Sequence, residues 1–169
     1  MLVAGCDYSS RYVDIVTVPY EGPGAPVWTR YPLTGADAFD RARSVADAMP
    51  GRASTIWDDV LAVGIEHPGG HHGTGHMLRI QGAILSQIPA RMLVHPLPPG
   101  KWRTLVGLPG DASKQRVALH VCGELGHFDY VRGVDGDRKV PDLQWPQDAY
   151  DAYCIALATR SLITQEKAA

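Results

Sequence analysis

The chain opens on an apolar run, Leu2-Val3-Ala4-Gly5-Cys6, that ends in a carboxylate, Asp7. Such a run reads as a buried strand that delivers its last residue to the strand end. Tyr12 to Val18 alternates well enough to be a second strand, and Ser9-Ser10-Arg11 is short enough to join the two as a hairpin. Val27 to Leu33 predicts a third strand, which Pro32 pushes toward a sheet edge. Three antiparallel strands therefore come first. Apolar residues at three- and four-residue spacing then predict a helix over 36–49, with Thr34 as N-cap and Pro50-Gly51 as its stop. Val60 to Ile65 is apolar throughout, as a central strand covered on both faces would be, and it too ends in a carboxylate, Glu66.

The segment 67–76 is a glycine-rich loop holding four of the seven histidines. No cysteine accompanies them and the glycines leave the loop unshaped, so zinc is disfavoured. A mobile loop that touches a ligand near Glu66 is expected instead. Met77 to Ile88 predicts a helix with Met77, Ile80, Ile84 and Ile88 on one side, and Leu78 and Leu85 widen that stripe toward core or a partner subunit. Gly82 in mid-helix costs roughly 1 kcal/mol relative to Ala, and the expectation is that close backbone packing repays it. Arg91 to His95 reads as a fifth strand, followed by short helices over 101–106 and 111–122. Between 124 and 140 there is little periodicity, and a loop is expected.

The last helix carries the strongest local argument. Pro146 suits its first turn, and Asp148 and Asp151, three apart, share one face. At 100° per residue that face also holds Ile155, Ala158 and Leu162. The helix dipole alone would favour acids in a first turn. Acids in line with a core stripe ask for more, because burying them unpaired is costly, and a metal or other cation is expected there.

Length bounds the answer to one domain spanning 1–169, with room for a core. No apolar run is long enough to span a bilayer and no signal-type segment opens the chain, so a cytoplasmic protein without a membrane partner is expected. Cys6, Cys122 and Cys154 are scattered and give neither a disulfide framework nor a zinc pattern. The net charge of −2 announces no nucleic-acid partner, yet its distribution is uneven. Arg91, Lys101, Arg103, Lys114 and Arg116 face a single acid, Asp111, between 91 and 117. Cations to hold phosphates, set against carboxylates to hold metal, are what a nuclease needs; an ordinary solvated face is the bland alternative.

Asp7, Glu66, Asp148 and Asp151 thus sit at two strand ends and on one helical face. With the β-β-β-α-β-α-β-α order, this pattern resembles the RNase H-like superfamily, and more closely the RuvC-type Holliday junction resolvases, their phage-encoded relatives included. The pieces that carry the resemblance are Gly5-Cys6-Asp7-Tyr8-Ser9, Gly64-Ile65-Glu66, Arg79-Ile80-Gln81-Gly82-Ala83-Ile84, Lys101-Trp102-Arg103-Thr104-Leu105-Val106-Gly107, Asp111-Ala112-Ser113-Lys114 and Asp148-Ala149-Tyr150-Asp151-Ala152. They occur in the right order over most of the chain. The chain departs from the pattern after Glu66, where family members often carry an aromatic or other apolar side chain that probes the junction centre. It also has an added Pro109 and a longer 124–145 loop.

The resemblance implies an α/β, RNase H-like fold: a mixed five-stranded sheet, antiparallel at first and then parallel, flanked by helices. It implies a crossover junction endodeoxyribonuclease of DNA recombination and repair that resolves four-way junctions by paired symmetric nicks. Asp7, Glu66, Asp148 and Asp151 would then be the catalytic residues and the ligands of two Mg²⁺ ions, with Mn²⁺ able to substitute. Arg11, His71, His72, Lys101, Arg103, Lys114 and Arg116 would contact DNA, and Trp102 would serve as core or as a stacking platform. Two symmetric nicks imply a two-fold homodimer, placed at the helix over 77–88. RNA–DNA hybrid, flap or other branched DNA is an alternative substrate, and a DNA-binding protein without catalysis is a further alternative.

Overall fold

The computed structural model describes residues 1–68, 74–133, 136–141 and 144–168. A mixed sheet of five strands forms its centre, in the order β3-β2-β1-β4-β5. Strands β1 (Leu2–Tyr8), β2 (Tyr12–Pro19) and β3 (Val27–Pro32) pair antiparallel, whereas β4 (Val60–Glu66) and β5 (Leu93–Leu97) run parallel to β1. The β1–β2 connection is the expected tight hairpin: Ser9 N–H donates to the Tyr12 carbonyl at 2.9 Å, and Ser9 Oγ accepts from the Arg11 and Tyr12 amides.

Period-two alternation splits the strand residues between two cores. Ala4, Cys6, Val13, Ile15, Val63 and Ile65 pack in one core with Val45 of α1 (Ala38–Ala48) and with Ile80 and Ile84 of α2 (Thr74–Gln87). Val3, Val16, Val18, Ala62 and Leu97 belong to the other, with α3 (Pro99–Leu105), α4 (Lys114–Leu125) and α5 (Gln147–Ala168). Helix α5 is buried on every side from Ala149 to Thr159, pressed between β1, β2 and β4 beneath it and α3 and α4 beyond. Its burial runs all the way round, not along the one apolar stripe expected, because helices cover the side away from the sheet.

Two glycines bring α5 down onto the sheet. Gly5 and Gly64 are register partners on β1 and β4. A Cβ on Gly5 would collide with the Ala152 carbonyl and the Ala156 amide, and one on Gly64 with Thr159 Oγ1. Only hydrogen at these positions lets the helix backbone lie that close.

Several local expectations need correction. The N-cap of α1 is Asp37, not Thr34, because Asp37 Oδ1 accepts from both the Phe39 and Asp40 amides. Ser113 caps α4, which leaves Asp111 outside the helix, and β5 starts two residues later than its apolar run suggested. Gly82 has nothing within 4 Å of where its Cβ would stand, so close packing does not explain it. The 124–140 segment contains a hairpin, β6 (Phe128–Gly133) paired with β7 (Gly136–Pro141), hidden in sequence by its many charged residues.

Candidate metal centre

The strand register lays a row of charged residues across one face of the sheet at one end. Asp7 on β1 pairs with Asp14 on β2, and Asp14 with Arg30 on β3. On the other side, Cys6 pairs with Ile65, so the next positions, Asp7 one residue before the end of β1 and Glu66 at the end of β4, follow side by side. Asp7 shares its face with Gly5, and Glu66 with Gly64, the face that α5 covers. Because the glycines let α5 come close, its first turns deliver Asp148 and Asp151 directly above this row.

A single oxygen from each of Asp7, Asp148 and Asp151 can be chosen so that all three lie within 4.8 Å of one another. Asp7 and Asp151 are 4% and 2% exposed, and Asp148 is half-buried. Burial pushes the Asp7 carboxyl well above its ordinary range, and the neighbouring charges of Glu66, Asp151 and Asp148 push it further. Burial also raises Asp151, against the opposing field of Lys114. Lys114 Nζ reaches Asp148 Oδ1 at 3.4 Å and Asp151 Oδ2 at 3.9 Å. Burial alone would lower the Lys114 ammonium, but Asp151, Asp148 and Asp7 outweigh it and hold the amine protonated. One lysine against three converging acids leaves negative charge uncompensated. An all-oxygen set of this kind fits a hard divalent cation such as Mg²⁺.

Glu66 is held differently. Its Oε2 accepts the indole N–H of Trp102 at 3.1 Å, and its backbone carbonyl accepts from Gln81 Nε2 at 3.0 Å. Burial raises the Glu66 carboxyl, and the Trp102 bond pulls it back. Trp102 is fully buried, so it is core with a polar task rather than a stacking platform. The bond engages one carboxylate oxygen and leaves the other without a protein hydrogen bond among the described residues, and Glu66 stands outside the close trio of Asp7, Asp148 and Asp151.

The expected cations are not all equivalent. Lys114 is at the acids. Arg103 is half-buried, with its guanidinium 4.9 Å from the Trp102 ring centroid and Nη1 donating to the Gly110 carbonyl. Arg11, Lys101 and Arg116 are exposed. His71 and His72 lie outside the described residues. Sequence reading missed Asp14 and Arg30 as members of the row. The signal was present: Asp14 occupies the same strand face as the inward-pointing Val16 and Val18.

No family model matches the sequence, and no curated protein does. Among solved structures, the RuvC of Thermus thermophilus is similar over 98% of this chain and 97% of its own, at 22% identity and a TM-score of 0.60. T. thermophilus RuvC in complex with Holliday junction substrate is similar over 98% and 96%, at 18% identity and a TM-score of 0.63. The large terminase nuclease from thermophilic phage G20c with bound cobalt shares 15% identity over 94% of this chain and 80% of its own, with a TM-score of 0.41. The five-stranded mixed sheet, its strand directions and the flanking helices agree with the sequence-based expectation, and the chain has the RuvC-type, RNase H-like fold along nearly its whole length.

Proposed function

We propose that this chain is a divalent-metal-dependent endonuclease that resolves four-way DNA junctions. The observation that carries the reading is the convergence of Asp7, Asp148 and Asp151 on one face of the sheet, with Glu66 beside them. The similar structure solved with a Holliday junction substrate supports junction DNA as the ligand. Asp7, Asp148 and Asp151 would hold Mg²⁺, or Mn²⁺ in its place, and Glu66 would hold a second ion or orient the attacking water with the oxygen that Trp102 leaves open. Bound there, the cations would supply an activated water and neutralise charge on the phosphate. Lys114 keeps its proton and grips a phosphate oxygen beside the acids. Arg11, Lys101, Arg103 and Arg116, with His71 and His72, are the candidates for contacts farther along the DNA.

Two symmetric nicks require two copies of the site. Leu78 and Leu85, one face of α2, remain 45% and 37% exposed, an apolar edge that a second copy of the chain would cover. Light scattering with and without junction DNA tests this; a monomer under both conditions would rule the symmetric dimer out. Among the described residues no helix is long and apolar enough to cross a membrane.

The decisive assay offers a labelled four-way junction, a linear duplex of the same sequence and an RNA–DNA hybrid to wild type and Asp148→Asn, in Mg²⁺ or EDTA. Paired nicks in the junction alone, lost in the variant and in EDTA, are the expected result. Preferential hybrid cutting would move the activity to an RNase, and tight junction binding without cutting under any metal would leave a binding protein.

A further inference from the structure

We infer that Arg30 is a phosphate-binding residue for the DNA backbone, held at the rim of the acid cluster by Asp14. The inference rests on the nuclease reading and extends it to a site at the far end of the charged row. Asp14 has no exposed surface, and a carboxylate there needs full compensation. Its Oδ1 accepts from Trp28 Nε1 at 2.7 Å and from Arg30 Nε at 2.9 Å, and its Oδ2 accepts from Arg30 Nη2 at 2.8 Å. Asp14 is thereby spent on one edge of the guanidinium and on the indole. Although it pairs in register with Asp7, it is not a candidate metal ligand.

The same contacts fix the guanidinium plane. Arg30 lies 4.4 Å from the Tyr12 ring centroid, and Trp28 is itself backed by Trp145 at 6.2 Å between centroids. The bidentate bond uses Nε and Nη2. Nη1 donates to no protein acceptor among the described residues, and the side chain is 26% exposed. A rigid, charged, half-satisfied fork is therefore presented to solvent on an edge strand. An ion pair of this kind is poor value as a staple, since an apolar pair of similar volume does as well or better. As a holder for a cation it has a use.

Position supplies the ligand. The field of Asp148 reaches Arg30 across the row, whereas Lys114 touches Asp148 from α4. Cations therefore flank the acid cluster from two separate elements, β3 and α4. A sugar–phosphate chain crossing the cluster would meet Lys114 at one phosphate and Arg30 at another, and a guanidinium edge matches phosphate oxygens.

The test measures binding of the labelled junction by anisotropy in Ca²⁺ over a range of KCl concentrations. It compares wild type, Arg30→Met, the double variant Asp14→Leu/Arg30→Met and, as a control on the opposite side of the sheet, Arg43→Met. The double variant guards against a fold lost through an unpaired Asp14, and circular dichroism checks both. Loss of one phosphate contact lowers the slope of log K against log salt by about 0.9. That drop is expected in both Arg30 variants and not in Arg43→Met. A folded double variant with the wild-type slope, or an equal drop in the Arg43 control, would overturn the inference while leaving the nuclease reading in place. Failure of wild type to bind any DNA would overturn both.

Discussion

Replacing Gly5 by alanine adds one methyl group, yet it addresses the feature that assembles the site. The new Cβ would stand 2.9 Å from the Ala156 Cα and closer still to the Ala152 carbonyl and the Ala156 amide, all of them α5 backbone. A side chain could rotate away; a helix backbone has to move as a body. Restoring ordinary carbon–carbon contact at 3.5–4.0 Å requires α5 to withdraw by roughly 1 Å. Overpacking of this kind costs typically 1–3 kcal/mol, and the rigid partner places Gly5→Ala at about 3 kcal/mol. For a domain of this size that lowers Tm by roughly 6–12 °C. The withdrawal also carries Asp148 and Asp151 away from Asp7, and a misplacement of about 1 Å costs on the order of 100-fold in rate. The assay pairs thermal melts in EDTA and in Mg²⁺ with single-turnover cleavage. A variant that melts with wild type and keeps the full metal-induced rise in Tm would refute the idea that the glycine sets the helix–sheet spacing.

Gly82→Ala is the counterpart: exposed, mid-helix and open around its Cβ within one chain, it should stabilise the monomer by roughly 0.5–1 kcal/mol, and a lower Tm at concentrations where light scattering shows a monomer would contradict that. Asp7→Asn should raise Tm in EDTA. The folded-state Asp7 carboxyl is raised by burial and by like charges, so its contribution is complete below the unfolded pKa and is lost as pH rises toward the folded one. The advantage of the variant should therefore widen as pH rises past the ordinary carboxylate range, and a variant less stable than wild type at neutral pH would refute it. Mg²⁺ at 100 times its Kd should stabilise wild type by about 2.7 kcal/mol and Asp7→Asn by far less, read as the Tm difference against EDTA. Trp102→Phe keeps a buried ring but deletes the donor to Glu66, a bond to a charged group worth roughly 1.5–3 kcal/mol; unchanged stability and metal response would show that Glu66 needs no such anchor.

What the sequence discloses here divides along a physical line. Strands β1 and β4 are legible because both faces are buried, and the apolar runs stop where Asp7 and Glu66 begin. The spacing of Asp148 and Asp151 is legible because helix geometry is local. Cross-strand register is not local, and so the row from Arg30 through Asp14 to Asp7 stays hidden until the pairing is known. The same holds for Gly5 and Gly64, which read as ordinary strand residues until α5 is laid across them. Gly82 misled in the opposite direction, since a glycine in a helix signals a cost without naming what, if anything, offsets it. The β6–β7 hairpin escaped because its charged residues mask alternation, and its strands pair only with each other.

Most of the described chain lies between Asp7 and Asp148. The acid cluster therefore has no local precursor: neither the strand nor the helix presents it alone, and it exists only once α5 has docked on a finished sheet. On the proposed reading, cleavage activity would therefore report on completion of folding. A growing or partly unfolded chain would lack the proposed cleavage activity, and a cation bound at the acids would also fasten the last helix in place.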